Sequence, residues 1–90
     1  MEAKNTPVTQ LKNIGATVAR RLNEIGIHTY ADLEDLGAVN AYMRISANYP
    51  TRNMPVCYYL YSLEGALRDQ HWDALPKALK DKLLQQTSQA

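Results

Sequence analysis

The apolar positions of this chain recur every three to four residues from one end to the other, and nowhere do apolar and polar residues alternate strictly. That period belongs to amphipathic helices and not to half-buried strands. Residues 1–8 are polar and are expected to be disordered. A short helix is expected over 9–13, a tight turn at Ile14-Gly15, and a second helix over 16–25 with Val18, Ala19, Leu22 and Ile25 on one face. Gly26 stops it, since glycine takes the left-handed conformation at a helix end without steric cost. Thr29 opens a third helix as an N-cap for the N–H near Asp32, and Asp32 suits the positive end of the helix dipole. Leu33 and Leu36 point inward, and Gly37 ends that helix.

A fourth helix is predicted over 38–48 with Ala41, Tyr42 and Ile45 as its stripe, and a loop bounded by Pro50 and Pro55 follows. The fifth helix, over 56–68, carries the longest clean repeat: Val56, Leu60, Leu63 and Leu67. It should be central. A turn at His71, Trp72 and Asp73 leads to Pro76, which fits the first position of a sixth helix because its missing N–H costs nothing there. Leu79, Leu83 and Leu84 would pack this last helix, and residues 86–90, with Gln85 before them, read as a loose tail. The expected fold is all-α, a small bundle of five to six short helices.

Length narrows the function. Ninety residues support one modest core, with little room for a second lobe and a water-excluding cleft, which speaks against an enzyme. Ten basic and nine acidic residues leave a net charge of +1. Any contact with nucleic acid must therefore come from a local patch and not from the whole surface. The single cysteine, Cys57, permits no intrachain disulfide, and together with the lack of an apolar signal segment in the first thirty residues it suggests a cytoplasmic setting. His28, His71 and Cys57 show no zinc spacing. Glu34, Asp35 and Asp69 read as solvated helix faces. No catalytic group, metal or cofactor is expected.

The informative stretch is Leu11-Lys12-Asn13-Ile14-Gly15-Ala16-Thr17-Val18-Ala19-Arg20-Arg21-Leu22, of the form L-x-x-I-G-x-x-x-A-x-x-L. One helix ends, the chain turns within a few residues, and the next helix starts with its unpaired N–H groups outward. Such a start favours an anionic oxygen. The stretch resembles the helix-hairpin-helix motif of DNA-handling proteins, with Lys12-Asn13 where the usual motif has proline and glycine. Asn13 tolerates the left-handed conformation that the glycine would supply. The candidate nucleic-acid-binding residues are Lys12, Asn13, Gly15, Ala16, Thr17, Arg20 and Arg21. Residues 22–33 resemble the second half of a paired motif, giving a helix-hairpin-helix-like N-terminal half.

Five blocks in order widen the resemblance: Leu11–Gly15, Leu22–Thr29, Leu36–Tyr42, Leu60–Arg68, and His71-Trp72 with Leu75-Pro76. Over residues 9–85 the chain resembles the C-terminal domain of the TfoX/Sxy family of regulators of natural competence, the programme of DNA uptake for transformation. The resemblance implies a positive regulator of competence genes that works with the cyclic-AMP receptor protein, and an N-terminal domain ahead of this segment.

Two readings stay open. In one the Gly15 hairpin holds DNA backbone phosphate. In the other the domain docks on a transcription factor or on its own N-terminal domain, without direct DNA contact. Tyr58 and Tyr61, three apart on a flank of the fifth helix, are the candidate partner surface, since tyrosine offers apolar area with a polar tip. With Tyr49 and Met54 nearby they could form a weak homodimer surface.

Overall fold

The structure, a computed structural model, describes residues 4–50, 55 and 58–88. It holds five α-helices: α1 (Ala16–Glu24), α2 (Tyr30–Leu36), α3 (Ala38–Asn48), α4 (Leu60–Arg68) and α5 (Lys77–Ser88). Two 3₁₀ turns, Val8–Gln10 and Trp72–Ala74, precede α1 and α5. The described residues form no sheet. One isolated antiparallel bridge joins Pro7 to Thr29.

Local chemistry sets most of the boundaries. The Thr29 hydroxyl accepts from the Asp32 N–H at 3.3 Å, and the Asp32 carboxylate accepts from the N–H groups of His28 at 3.0 Å and Thr29 at 3.3 Å. This reciprocal capping box starts α2. Gly26 and Gly37 have φ of 85° and 87°, so each helix stop falls on the residue best able to adopt it. Gly37 ends α2 and begins α3 at once, and no linker separates the two.

Four segments differ from expectation. The helix expected at 9–13 is a single 3₁₀ turn, because the Leu11 backbone is extended and Asn13 turns left-handed at φ 73°. Residues 4–8, expected to be disordered, lie against α2. The Lys4 and Thr6 carbonyls accept from the N–H groups of Ala31 and Tyr30 at 2.9 and 2.8 Å. Those are first-turn donors that α2 itself cannot satisfy, and Val8 beyond them is buried. The central helix begins at Leu60 and not at Val56, with a turn at Tyr58-Tyr59 leading in; Val56 and Cys57 are outside the described residues, as is Met54. The last helix continues through Ser88, so residues 85–88 are helical where a loose tail was expected. In it Leu83 is buried and Leu84 is exposed.

The core lies around α4. Leu22 of α1, Leu33 of α2, Ile45 of α3, and Leu60 and Leu63 of α4 are all 0% exposed. Burying a side chain of this kind fully contributes roughly 1.5–3 kcal/mol. The centrality of α4 follows the predicted repeat, yet its burial goes further than one stripe. Tyr61, Ser62, Gly65 and Ala66 are buried as well, because α2, α3 and the Trp72–Ala74 turn pack around it.

Candidate functional site

The hairpin is built on Asn13. Its left-handed backbone turns the chain, and its side chain then reaches the far end of α4. The amide nitrogen donates to the Gln70 carbonyl at 2.7 Å and lies 3.5 Å from the Ser62 carbonyl, while its oxygen accepts from the Trp72 N–H at 3.3 Å. Asn13 is thus a structural tie between hairpin and α4, with its polar atoms already engaged.

Two residues on, Gly15 is the N-cap of α1 with extended backbone, φ −88° and ψ −176°. Any residue adopts that conformation, and a Cβ there would meet nothing within 4 Å. The fold therefore does not require this glycine. The first helical bond of α1 runs from the Ala19 N–H to the Gly15 carbonyl at 3.0 Å. The N–H groups of Ala16, Thr17 and Val18 precede it and have no acceptor within the helix. No side chain caps this end and no acidic residue sits in its first turn, so the positive end of the dipole is unopposed locally. Gly15 and Ala16 are exposed and Thr17 is half-buried.

The cations divide. Lys12 and Arg20 are exposed. Arg21 is not part of the same patch: its side chain is only 14% exposed and turns toward α3. One guanidinium nitrogen donates to the Tyr49 hydroxyl at 2.9 Å and lies 3.4 Å from the Glu24 carboxylate, and the guanidinium carbon sits 4.4 Å from the Tyr49 ring centre. The Tyr49 hydroxyl in turn donates to Glu24 at 2.6 Å. Burial works against the Arg21 charge, but hydrogen bonding to Tyr59 and the nearby Tyr49 and Glu24 raise its pKa above the usual value. Arg21 fastens α1 to the end of α3.

The two tyrosines expected to share an exposed flank also separate. Tyr58 is 49% exposed, whereas Tyr61 is 7% exposed and has the Lys80 ammonium 5.5 Å from its ring centre. Tyr49, placed near the suggested homodimer surface, is engaged with Arg21 and Glu24.

Beside the hairpin lies a cleft of about 410 Å³, lined by Lys12, Asn13, Tyr58, Ser62, His71 and Trp72. Along the chain these residues lie in separate segments: Lys12-Asn13 in the hairpin, Tyr58 and Ser62 around the start of α4, and His71-Trp72 beyond its end. The signal available in the sequence was Gly65, a lone glycine inside a helical repeat, which marks a close approach of backbone. Tyr58 stands at 86° to Tyr59 with ring centres 5.0 Å apart, and His71 stacks on Trp72 at 5.7 Å and 30°. The His71 Nδ1 accepts from the Asp73 N–H at 3.1 Å. Among the described residues, no group of three His, Cys, Asp or Glu side chains is placed to hold a metal, and no helix is long and apolar enough to cross a membrane.

The described residues form a compact helical domain with an open helix start and an aromatic cleft on one edge. The model of the TfoX C-terminal domain family matches residues 4–87, nearly the whole chain. The chain belongs to this family and is a competence-related regulatory domain. No curated protein matches it. Two crystal structures of Listeria monocytogenes proteins share its fold. The triclinic form of an uncharacterized protein has 33% identity and a TM-score of 0.77, over 87% of this chain and 85% of that one. The tetragonal form of a protein of unknown function has 34% identity and a TM-score of 0.76, over 86% of this chain and 91% of the other.

Proposed function

We propose that this domain is a non-enzymatic regulator of competence genes in the cytoplasm, and that it contacts the DNA backbone at the start of α1. The observation that carries this reading is the uncapped N-terminus of α1, free of acidic residues in its first turn and flanked by the exposed Lys12 and Arg20. Backbone N–H groups and two cations recognise phosphate and read no base edge, so binding is independent of sequence. A patch this small touches few phosphates, and its affinity alone should be on the order of 10⁻⁴–10⁻⁵ M. Promoter choice then comes from a partner such as the cyclic-AMP receptor protein or from an N-terminal domain of the same regulator.

The test is a titration of labelled duplex at low and high salt. Binding should weaken steeply with salt through counterion release, and Lys12→Glu with Arg20→Glu should abolish it. Equal binding by wild type and double variant removes the hairpin from the contact.

A second reading, docking on a protein without direct DNA contact, is favoured by a different face. A groove between α3 and α5 is lined by Tyr42, Met43, Ser46, Ala47 and Thr87. The buried Ser46 hydroxyl in its wall has no hydrogen-bond partner in the structure. An apolar docking surface responds little to salt, so the same titration, repeated with the partner protein in place of DNA, separates the two.

A further inference from the structure

We propose that the cleft beside the hairpin binds an unstacked nucleobase of a single-stranded nucleic acid, with the adjoining phosphate held by Lys12. This inference rests on the backbone-contact reading and extends it from duplex to strand.

The lining is what selects the ligand. Two walls are aromatic: the half-exposed ring of Tyr58, and the stacked His71–Trp72 pair. An aliphatic peptide anchor is better served by leucine- and methionine-type walls, and among the described residues none of that type lines the cleft. Flat aromatic walls suit a flat aromatic guest, because base–aromatic stacking works for any base. The cleft volume of about 410 Å³ falls at the small end of the range of roughly 300–1,000 Å³ typical of small-ligand sites. Among the described residues one charged side chain lines it, Lys12, and no carboxylate does. An anionic ligand is therefore attracted and meets no direct repulsion.

The polar atoms are also arranged for such a guest. The Asn13 amide is committed to Gln70 and Trp72, so it stiffens the floor of the cleft and does not compete for the ligand. Accepting the Asp73 N–H requires a lone pair on the His71 Nδ1, which places the neutral ring's proton on Nε2. That nitrogen is a donor available to a base carbonyl or a phosphate oxygen. Lys12 is three residues ahead of Gly15, so the chain direction leads from the cleft to the open start of α1. A strand with one base in the cleft can set its next phosphate toward that helix end. A duplex cannot use the cleft without breaking a base pair.

Trp72 is the only tryptophan in the chain, so its fluorescence reports occupancy of the cleft directly. The experiment titrates the protein with oligothymidylate of about ten nucleotides, inside the usual site size of roughly 4–16, with the matching duplex, and with thymidine monophosphate. Anisotropy of labelled DNA measures affinity in parallel. The strand should quench Trp72 and bind more tightly than the duplex, and the mononucleotide should quench at higher concentration. Tyr58→Ala, which removes a half-exposed ring, should weaken strand binding roughly tenfold, a typical loss for one base–aromatic stack, and leave duplex binding unchanged. Strand and duplex bound alike, with Tyr58→Ala silent, overturns the cleft site and leaves the backbone reading standing. Binding of neither overturns both. Quenching by a partner-protein peptide but by no oligonucleotide also overturns the nucleobase assignment and turns the cleft over to protein docking.

Discussion

The side-chain amide of Asn13 fills the space that a Cβ on Gly65 would need. That added atom would lie 2.6 Å from the Gln70 carbonyl oxygen and closer still to the Asn13 Nδ2. Gly65 is therefore the notch in α4 into which the hairpin locks. Alanine ordinarily improves a helix interior by about 1 kcal/mol over glycine. Here overpacking of about 1–3 kcal/mol adds to hydrogen bonds of roughly 1 kcal/mol each that the displaced amide would lose. Gly65→Ala should lower stability by a net of about 2–4 kcal/mol, measured as a shift in the urea midpoint. An unchanged or higher midpoint would mean that the hairpin does not seat on α4.

The start of α2 gives a pH dependence of known sign. The His28 N–H lowers the Asp32 pKa, burial opposes this, and the Thr29 N–H and hydroxyl lower it further, to a net value below the ordinary 3.8. A depressed pKa means that Asp32 contributes stability while ionised, fully above its unfolded value near 3.8 and lost as pH falls through the folded value. Wild type should therefore lose stability below about pH 4 by more than Asp32→Ala does. Thr29→Ala should cost about 1 kcal/mol at neutral pH, the usual loss of an N-cap. Parallel acid curves for wild type and Asp32→Ala would show that the capping box does not govern this transition.

Local signals carried the helical half of the fold well. The α3 boundaries follow from Gly37 before the stripe of Ala41 and Ile45, and the Thr29 cap with Asp32 is a contact of three residues' separation that the sequence displays directly. The same holds for the Asn13 turn, whose left-handed backbone was expected from the residue type. What escaped was pairing across long separations. The clasp of Arg21 with Tyr49 spans 28 residues and that of Asn13 with Trp72 spans 59. Helical periodicity says which side of α1 is apolar, but not that a tyrosine from α3 will cover the neighbouring edge. Likewise the four-three-four repeat of the central helix hid the burial of Tyr61, because other elements close over the flanks as well as the stripe.

That closure makes α4 the element least tolerant of truncation. Leu63 is fully buried in α4, which packs against α2 and α3. Leu63→Ala should cost about 2–5 kcal/mol through lost transfer energy and the cavity left behind. Tyr58→Ala, at the edge of the same segment, should shift the denaturant midpoint far less. A loss below about 1 kcal/mol for Leu63→Ala, under the range for core truncations, would displace α4 from the centre.

Neighbouring arginines on α1 should behave in opposite ways. Arg20 is exposed, so Arg20→Glu should leave the fold intact and act only on phosphate binding. Arg21 is held between the Tyr49 hydroxyl and the Glu24 carboxylate. Arg21→Glu would set two carboxylates against each other over the Tyr49 ring and strip the hydroxyl of its donor, loosening the junction of α1 with α3. Thermal unfolding should show a clearly lower midpoint for Arg21→Glu than for Arg20→Glu. Arg21→Gln, which keeps a donor and removes the charge, should fall between them. The distinction governs any test of DNA contact: a double Arg20→Glu, Arg21→Glu variant confounds binding with folding, whereas Lys12→Glu with Arg20→Glu does not. Equal midpoints for the two single variants would show that the clasp adds nothing to the junction, and Arg21 would then return to the list of residues able to meet phosphate.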